Sequence, residues 1–427
     1  MTRTITVDHL ARVEGHGGIT VQLDGDEITL VRFDIFEGSR LIETLVRGRR
    51  FEDVAGIVSR ICSICSASHA LTSLRATENA FGIQVSPQTE LLRELMHCGE
   101  YIESHALHLF LLATPDYLNY PSAIAMGADR PELLKLGLRL KKLGNSIQET
   151  IGGRAIHPVN AVPGGFAALP SVDQWIALRR DLQQGVADVE TALETLSAVP
   201  PLTEFCRADM AFAAMRDGQI VVRSNGTEET IAPADYRSLT NEREVPFSNA
   251  KHSLYRGRPF TVGALARVTL NPAGLSDNGV RAMQQLGLSV PSDNPFDTFK
   301  AQAVELASSV ECASVAVQRV LADEALKQEP RVTIRPRSGV GTAVAEAPRG
   351  LLVHSYTYDA DGCITSADMI TPTAMNAASI ESHFRSIVMA GAGDGTDVLT
   401  KKLEMLARAY DPCISCSVHL VQTRNAV

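Results

Sequence analysis

The sequence predicts a mainly α chain, a single large helical-bundle domain over residues 1–427 with peripheral β hairpins and ribbons. Two observations carry that prediction. Long segments of helix-forming composition run between prolines and glycines, whereas β-patterned runs are short and lie around them. Two Cys-x-x-Cys pairs sit near opposite ends, 348 residues apart, and as one site they would require the whole chain to wrap around them.

The elements follow in order. Ile19–Leu23 and Ile28–Phe33 flank Asp24-Gly25 and read as a hairpin. From about residue 54 the pattern turns helical. Ala67–Phe81 is composed of helix formers and stops at Gly82. Leu91–Ala113 is a long, largely apolar helix with Pro87 before it and Pro115 after it. Pro131–Ile151 and Val172–Val199 are two further helices, separated by the Gly/Pro-rich stretch Gly152–Pro170. Residues 216–270 mix short β segments with loops. Pro295–Lys327 is helical, and Val344–Met369 reads as a β ribbon turning at Asp359–Gly362. Helices at about 373–390 and 396–409 close the chain before Asp411-Pro412.

A net charge of −9 argues against a nucleic-acid surface. Arg47, Arg49 and Arg50 form a small basic run, read as a solvated face or a partner contact. No window approaches eighteen consecutive apolar residues, so no membrane span is expected. The first residues lack the apolar stretch of a signal peptide, and a cytoplasmic location is expected.

The eight cysteines lie at 62, 65, 98, 206, 312, 363, 413 and 416. Two intervening residues let a Cys-x-x-Cys pair aim both thiolates at one metal. On spacing alone three readings stand: a structural four-cysteine zinc or iron site, two unrelated pairs of which one is a redox disulfide, or a soft bimetallic site.

The flanking residues say more. The first pair lies in Arg60-Ile-Cys-Ser-Ile-Cys-Ser-Ala-Ser-His69, and the second in Asp411-Pro-Cys-Ile-Ser-Cys-Ser-Val-His419. Between and before them come Arg12-Val-Glu-Gly-His16, Gly153-Arg-Ala-Ile-His-Pro158 with Gly164-Gly165, Gly263-Ala-Leu-Ala-Arg267, Pro348-Arg349-Gly350 and Pro372-Thr373 with Asn376. In this order, over nearly the whole chain, these elements resemble those of the [NiFe] hydrogenase large subunit.

The resemblance implies that fold, a nickel–iron centre whose iron carries carbon monoxide and two cyanides, and reversible cleavage of H₂ to protons and electrons. Cys62 and Cys413 would be terminal nickel ligands, and Cys65 and Cys416 would bridge nickel to iron. Splitting so weak an acid needs a Lewis acid for the hydride and a base for the proton. Cys413 would accept the proton and Glu14 relay it, while Arg349 and Asp411 would form a canopy over the open site. Ser104 stands where many relatives place a second canopy aspartate. His69 and Arg60 would lie next to the ligands, His69 donating to a bridging thiolate. His105 and His108 are expected in the core or an interface. Glu43, the carbonyl of Thr371 or Ile370, and His419 would hold a magnesium ion.

The motif wording is most similar to the cytoplasmic bidirectional, NAD(P)-linked sulfhydrogenase type, with a deazaflavin- or heterodisulfide-linked branch as the alternative. No cluster motif exists among the scattered cysteines. An iron–sulfur small subunit is therefore expected, with diaphorase-type partners carrying FAD, NAD(P) and further Fe–S clusters. A maturation endopeptidase and nickel-insertion chaperones would act on the chain. Leu420–Val427 would be either a propeptide or a retained tail. Other classes stay in view: a quinone-site subunit of complex I, which shares the fold without the cysteines, and a structural four-cysteine scaffold.

Overall fold

The computed structural model describes residues 2–25, 27–38, 41–200, 210–327, 331–391 and 393–418. The chain opens with an antiparallel sheet, β1 (Thr2–Val7), β2 (Gly17–Asp24) and β3 (Glu27–Ile35), in that order. Helices α1 (Ile42–Val46), α2 (Phe51–Val58), α3 (Ser66–Phe81) and α4 (Pro87–Leu107) follow. A π-helical turn, His108–Ala113, carries α4 into α5 (Thr114–Tyr117), and then come α6 (Ala123–Asp129) and α7 (Pro131–Gly152). The two-stranded β4 (Ala161–Val162) and β5 (Gly165–Phe166) precede α8 (Val172–Ser197).

A second antiparallel sheet holds β6 (Phe212–Arg216), β7 (Gln219–Ser224) and β8 (Thr227–Ile231), and β9 (Arg243–Val245) pairs with β10 (Ser248–His252). Helices α9 (Ala264–Leu270), α10 (Asp277–Gln285) and α11 (Thr298–Ala322) lead to a third sheet of β11 (Gly339–Ala347), β12 (Gly350–Tyr358) and β13 (Ile364–Ile370). Helices α12 (Pro372–Ala390) and α13 (Thr396–Ala409) end the regular structure.

The long helices start and stop where side chains satisfy their terminal amides. Ser86 caps α4 by accepting from Thr89 N at 3.0 Å, with Pro87 in the first turn. Ser171 and Gln174 form a reciprocal capping box on α8. Gly82 ends α3 in the left-handed conformation, as the sequence indicates.

Helix α4 packs on α7 and α11, and α8 packs on both of those. Leu95, Ile102, Leu140, Ile147, Leu182 and Val304 belong to the core they enclose. The α4–α7 contact needs the absence of a side chain. A Cβ on Gly144 would fall 2.4 Å from both Glu103 N and Gly99 O of α4. Around this bundle the N-terminal sheet shares a second core with α12 and α13, in which Ile19, Val21 and Phe33 meet Phe384, Leu399 and Leu406. That core already brings the two chain ends together.

The structure adds elements to those read from the sequence: β1, the short helices α6 and α10, and β11. The ribbon expected at Val344–Met369 is three-stranded, and its extra hairpin turns at Pro348-Arg349, between Ala347 and Gly350. His419 and Leu420–Val427 lie outside the described residues, as does Cys206.

Replacing Gly144 with Ala must push α4 and α7 apart, and we expect a loss of about 1–3 kcal/mol in chemical denaturation. An unchanged midpoint would show that the two helices do not depend on this close approach.

Candidate metal centre

Cys62 follows a single 3₁₀ turn, Ser59–Ile61, and Cys65 is the N-cap of α3. Cys413 and Cys416 lie just past α13, separated from it by Tyr410, Asp411 and Pro412. All four Sγ atoms lie within 4.8 Å of one another, and all four residues are buried. Cys62 Sγ is 3.3 Å from Cys413 Sγ, and Cys65 Sγ is 3.5 Å from Cys416 Sγ. The two pairs therefore share one site, which removes the reading of unrelated pairs. Among the described residues this is the one cluster of at least three metal-ligating side chains.

The donor set calls for cations. Burial pushes the Cys413 thiol up, with the neighbouring thiols adding to the rise, and burial with Cys62 pushes Cys416 up to about 11 against the lowering by Cys413 and Cys65. Cys62 moves the other way: burial opposes its ionisation, but hydrogen bonds from the other three thiols and the Arg349 charge outweigh burial. Four soft thiolates in a dry pocket beside a single guanidinium are balanced only by metal charge, and bridging sulfur suits a pair of soft metals.

Glu14 reaches this site because the N-terminal motif runs beside the C-terminal one. Glu14 pairs with Cys413 in a parallel bridge, and Ile414 N donates to Glu14 O at 2.9 Å. Gly15, at φ +87, permits the approach, since a Cβ there would lie 2.8 Å from Ile414 Cβ and from Ser415 N. The carboxylate accepts from Cys413 Sγ at 3.2 Å and Ser415 N at 3.0 Å on Oε2, and from the Ser415 hydroxyl on Oε1.

Arg349 stands at its hairpin turn, 4% exposed. It donates through Nε to Asp411 O at 2.7 Å, through Nη2 to Asp411 Oδ1 at 2.9 Å, and through Nη1 to Ser104 Oγ at 3.3 Å. Burial works against its charge, and Asp411 with the thiols outweighs that, so the guanidinium is held firmly protonated. Asp411 adopts φ +49, and Gln302 Nε2 donates to its Oδ2 at 3.1 Å. The turn itself is anchored by Arg267, which donates to Pro348 O at 2.7 Å and Ala347 O at 2.9 Å and pairs with Glu305 and Glu346. Asn376 ties down Val262, beside Gly263, through both N–H and C=O. Thr373 Oγ1 accepts from Cys413 N at 2.9 Å. The weaker sequence elements thus brace the ligand loops.

His105 and His108 are core residues, as expected: His105 Nε2 lies 2.9 Å from Glu305 Oε2, and His108 Nε2 lies 2.7 Å from Arg408 O. His69 is buried on α3, and its Nδ1 lies 3.0 Å from His354 Nε2. Arg60 departs from expectation. Its side chain is exposed and folds back onto Gly56 O, because the 3₁₀ turn before Cys62 faces it outward.

Glu43 Oε1 accepts from Met369 N at 2.8 Å, two residues before Thr371, and burial raises its carboxyl. Thr371 is fully buried, and its Oγ1 has no partner among the described residues; the same holds for Glu242 Oε1. Glu242, pushed up to about 7 mainly by burial, faces Lys251 and shares this region with Glu43 and Asp368. Sequence reasoning missed Glu242. It also missed Asp116, which pairs with Arg408 at 2.6 and 3.0 Å and also with Arg12, clamping N-terminal motif to C-terminal helix. No periodicity singles out either residue.

The description "Nickel-dependent hydrogenase" belongs to the family model that matches residues 40–137 and 222–419, and a HoxL-like model matches residues 4–37. The chain is 37% identical over 426 residues to sulfhydrogenase 1 subunit alpha of Pyrococcus furiosus, covering 98% of each. It is 26% identical over 470 residues to the NAD-reducing hydrogenase HoxS subunit beta of Cupriavidus necator, covering 98% of this chain and 95% of that one. A solved NAD⁺-reducing [NiFe]-hydrogenase in the H₂-reduced state superposes with a TM-score of 0.88 at 29% identity, over 98% of this chain and 99% of that one.

Asp116→Ala leaves Arg408 buried without its carboxylate. We expect a destabilisation of about 3–5 kcal/mol and poor retention of metal, read by thermal melting and elemental analysis. Wild-type stability would show that the clamp contributes nothing to closing the site.

Proposed function

The chain belongs to the nickel-dependent hydrogenase family as a large, catalytic subunit, and we propose that the electrons it takes from H₂ pass through an iron–sulfur small subunit to NAD(P). The observation that carries the site assignment is the contact of a cluster thiol with a carboxylate: Cys413 Sγ donates to Glu14 Oε2 at 3.2 Å. When bound, the nickel–iron centre supplies the electrophile that polarises H₂ and the orbitals that take its electrons.

The chain's own residues do the rest. Cys62, Cys413, Cys65 and Cys416 would together hold the nickel and iron, the first two as the terminal pair and the last two as the bridging pair. The two short Sγ separations, Cys62 to Cys413 and Cys65 to Cys416, support this grouping. Cys413 takes the proton and passes it to Glu14, which Ser415 holds in place through N–H and hydroxyl. Arg349, fixed by Asp411 and Ser104, keeps a positive charge over the thiolates and helps exclude water. Carbon monoxide and two cyanides would complete the iron.

Glu43 and Thr371, together with His419, would hold magnesium. A hard cation with its waters would satisfy the unpartnered oxygens of Thr371 and Glu242 and offset the charge crowding between Glu43 and Asp368.

The small subunit docks on the face beside the Cys62–Cys65 loop. Ser63 is exposed there, and His157 pins a neighbouring loop to Ser59 O and Ser66 Oγ, leaving Ile156 and Val159 exposed. The likeness to sulfhydrogenase and NAD-reducing subunits supports diaphorase-type partners carrying FAD, NAD(P) and Fe–S clusters, over the deazaflavin- or heterodisulfide-linked alternative. Among the described residues no helix is long and apolar enough to cross a membrane, and the nucleotide acceptor favours a cytoplasmic setting. We read residues 1–427 as one domain. An endopeptidase and nickel-insertion chaperones would be its maturation partners.

Glu14→Gln keeps an acceptor for Ser415 but cannot take a proton. We expect wild-type nickel and iron content, unchanged CO and CN infrared bands, and loss of H₂/D⁺ exchange by at least about 100-fold. Wild-type exchange in that variant would remove Glu14 from the relay. Separately, H₂-dependent reduction of NADPH- or NADH-forming acceptors by the purified complex tests the branch, and exclusive reduction of a deazaflavin would contradict it.

A further inference from the structure

One buried carboxylate beside the ligand loops has no part in the relay. Glu100 lies on α4, 0% exposed. It accepts from Ala67 N at 2.8 Å and Ser68 N at 3.0 Å through Oε1, and from Ser68 N at 3.1 Å and the Ser68 hydroxyl through Oε2. These amides are the second and third of helix α3, whose N-cap is Cys65.

An N-cap side chain ordinarily accepts from those two amides, which have no partner within the helix. Cys65 makes no such bond. Its Sγ is turned instead toward Cys416, within the four-thiol cluster. A helix N-terminus attracts anions, so amides left free there would compete with metal for the Cys65 thiolate. Glu100 occupies them from another helix.

We propose that Glu100 is a positioning residue that caps α3 in place of Cys65 and so leaves the Cys65 thiolate free to ligate. The inference rests on the reading of Cys65 as a ligand of the nickel–iron centre.

Helix α4 is built for the task. Glu100 and Ser104, spaced i, i+4, lie one above the other on a single face of α4, and His108 continues that face at the first residue of the π-helical turn. All three are buried. Glu100 holds the start of α3, Ser104 Oγ accepts from Arg349, and His108 contacts Gln302 and Arg408 O, with Gln302 donating to Asp411. One helix therefore sets the first cysteine loop, the arginine canopy and the approach to the second cysteine loop.

Glu100→Gln and Glu100→Leu, each in the matured heteromeric enzyme, test this. Nickel and iron per chain and the Fe–CO infrared band are read in both. Glutamine retains an acceptor for the amides, and wild-type metal content with an unmoved band is expected. Leucine offers none: metal content falls about 10–100-fold, and the fraction that loads has a shifted band, because Ala67 N–H and Ser68 N–H now draw on Cys65 Sγ. A leucine variant with wild-type metal, or with less metal but an unmoved band, overturns the proposal. If the leucine variant does not fold, the glutamine variant still decides, since loss of metal there means that charge rather than capping is what matters. Absence of nickel and of the CO band from the wild type would instead defeat the reading on which the inference rests.

Discussion

Closing two chain ends around four thiols is the constraint on which the structure depends. Residues 62–65 and 413–416 must meet in a pocket dry enough to bury all four sulfurs, and a sulfur cluster without metal resists that burial. The chain meets this with polar contacts specific to the ends. The Glu14–Cys413 bridge joins the first motif to the last, Asp116 holds Arg12 and Arg408 together, and Ala250 pairs with Val418 just beyond the final cysteine. The second hydrophobic core, shared by the N-terminal sheet and the last two helices, lies behind these contacts. Metal and fold are then linked: cations that neutralise the thiolates stabilise the closed arrangement that presents them.

Rigidity at the site comes from elements far away in sequence. Arg267 fixes the two-residue turn that carries Arg349 by binding the carbonyls of Ala347 and Pro348, while Asp411 and Ser104 hold the guanidinium itself. Arg267 in turn is oriented by Glu305, which also contacts His105 on α4. Arg267, Arg349 and Arg408 are each buried against a carboxylate, as burial at these depths requires. Ser104 contributes a hydroxyl to the canopy, accepting from Arg349 without adding a second negative charge. Asp411 is then the principal anion facing the guanidinium.

What could be read in advance divides along physical lines. Cys62 and Cys65 were legible from the spacing of their pair, whereas Glu14, Arg349 and Asp411 were legible only through the likeness of their short motifs to a known family. The long helices were legible from composition and from their Pro and Gly boundaries. Strand β11 was not. Its Gly339, Gly341, Ala343 and Ala345 lack the β-branched signature of a strand because it lies flat on α3, where a Cβ on Gly341 would fall 2.0 Å from Ala76 O. Glu100, Asp116, Gln302 and Glu242 were invisible for another reason. Their partners are 9 to 292 residues away, so only the folded chain shows what they hold. Arg60 shows the converse, since a motif position beside a ligand can still face outward.

Anomalous diffraction at the nickel and iron absorption edges, from crystals of the matured enzyme, tests whether two different metals share these four thiolates. One nickel and one iron peak are expected within the cluster, with Cys65 and Cys416 bonded to both and Cys62 and Cys413 bonded to nickel alone. A single metal, zinc or iron, bound tetrahedrally by all four sulfurs would contradict that arrangement.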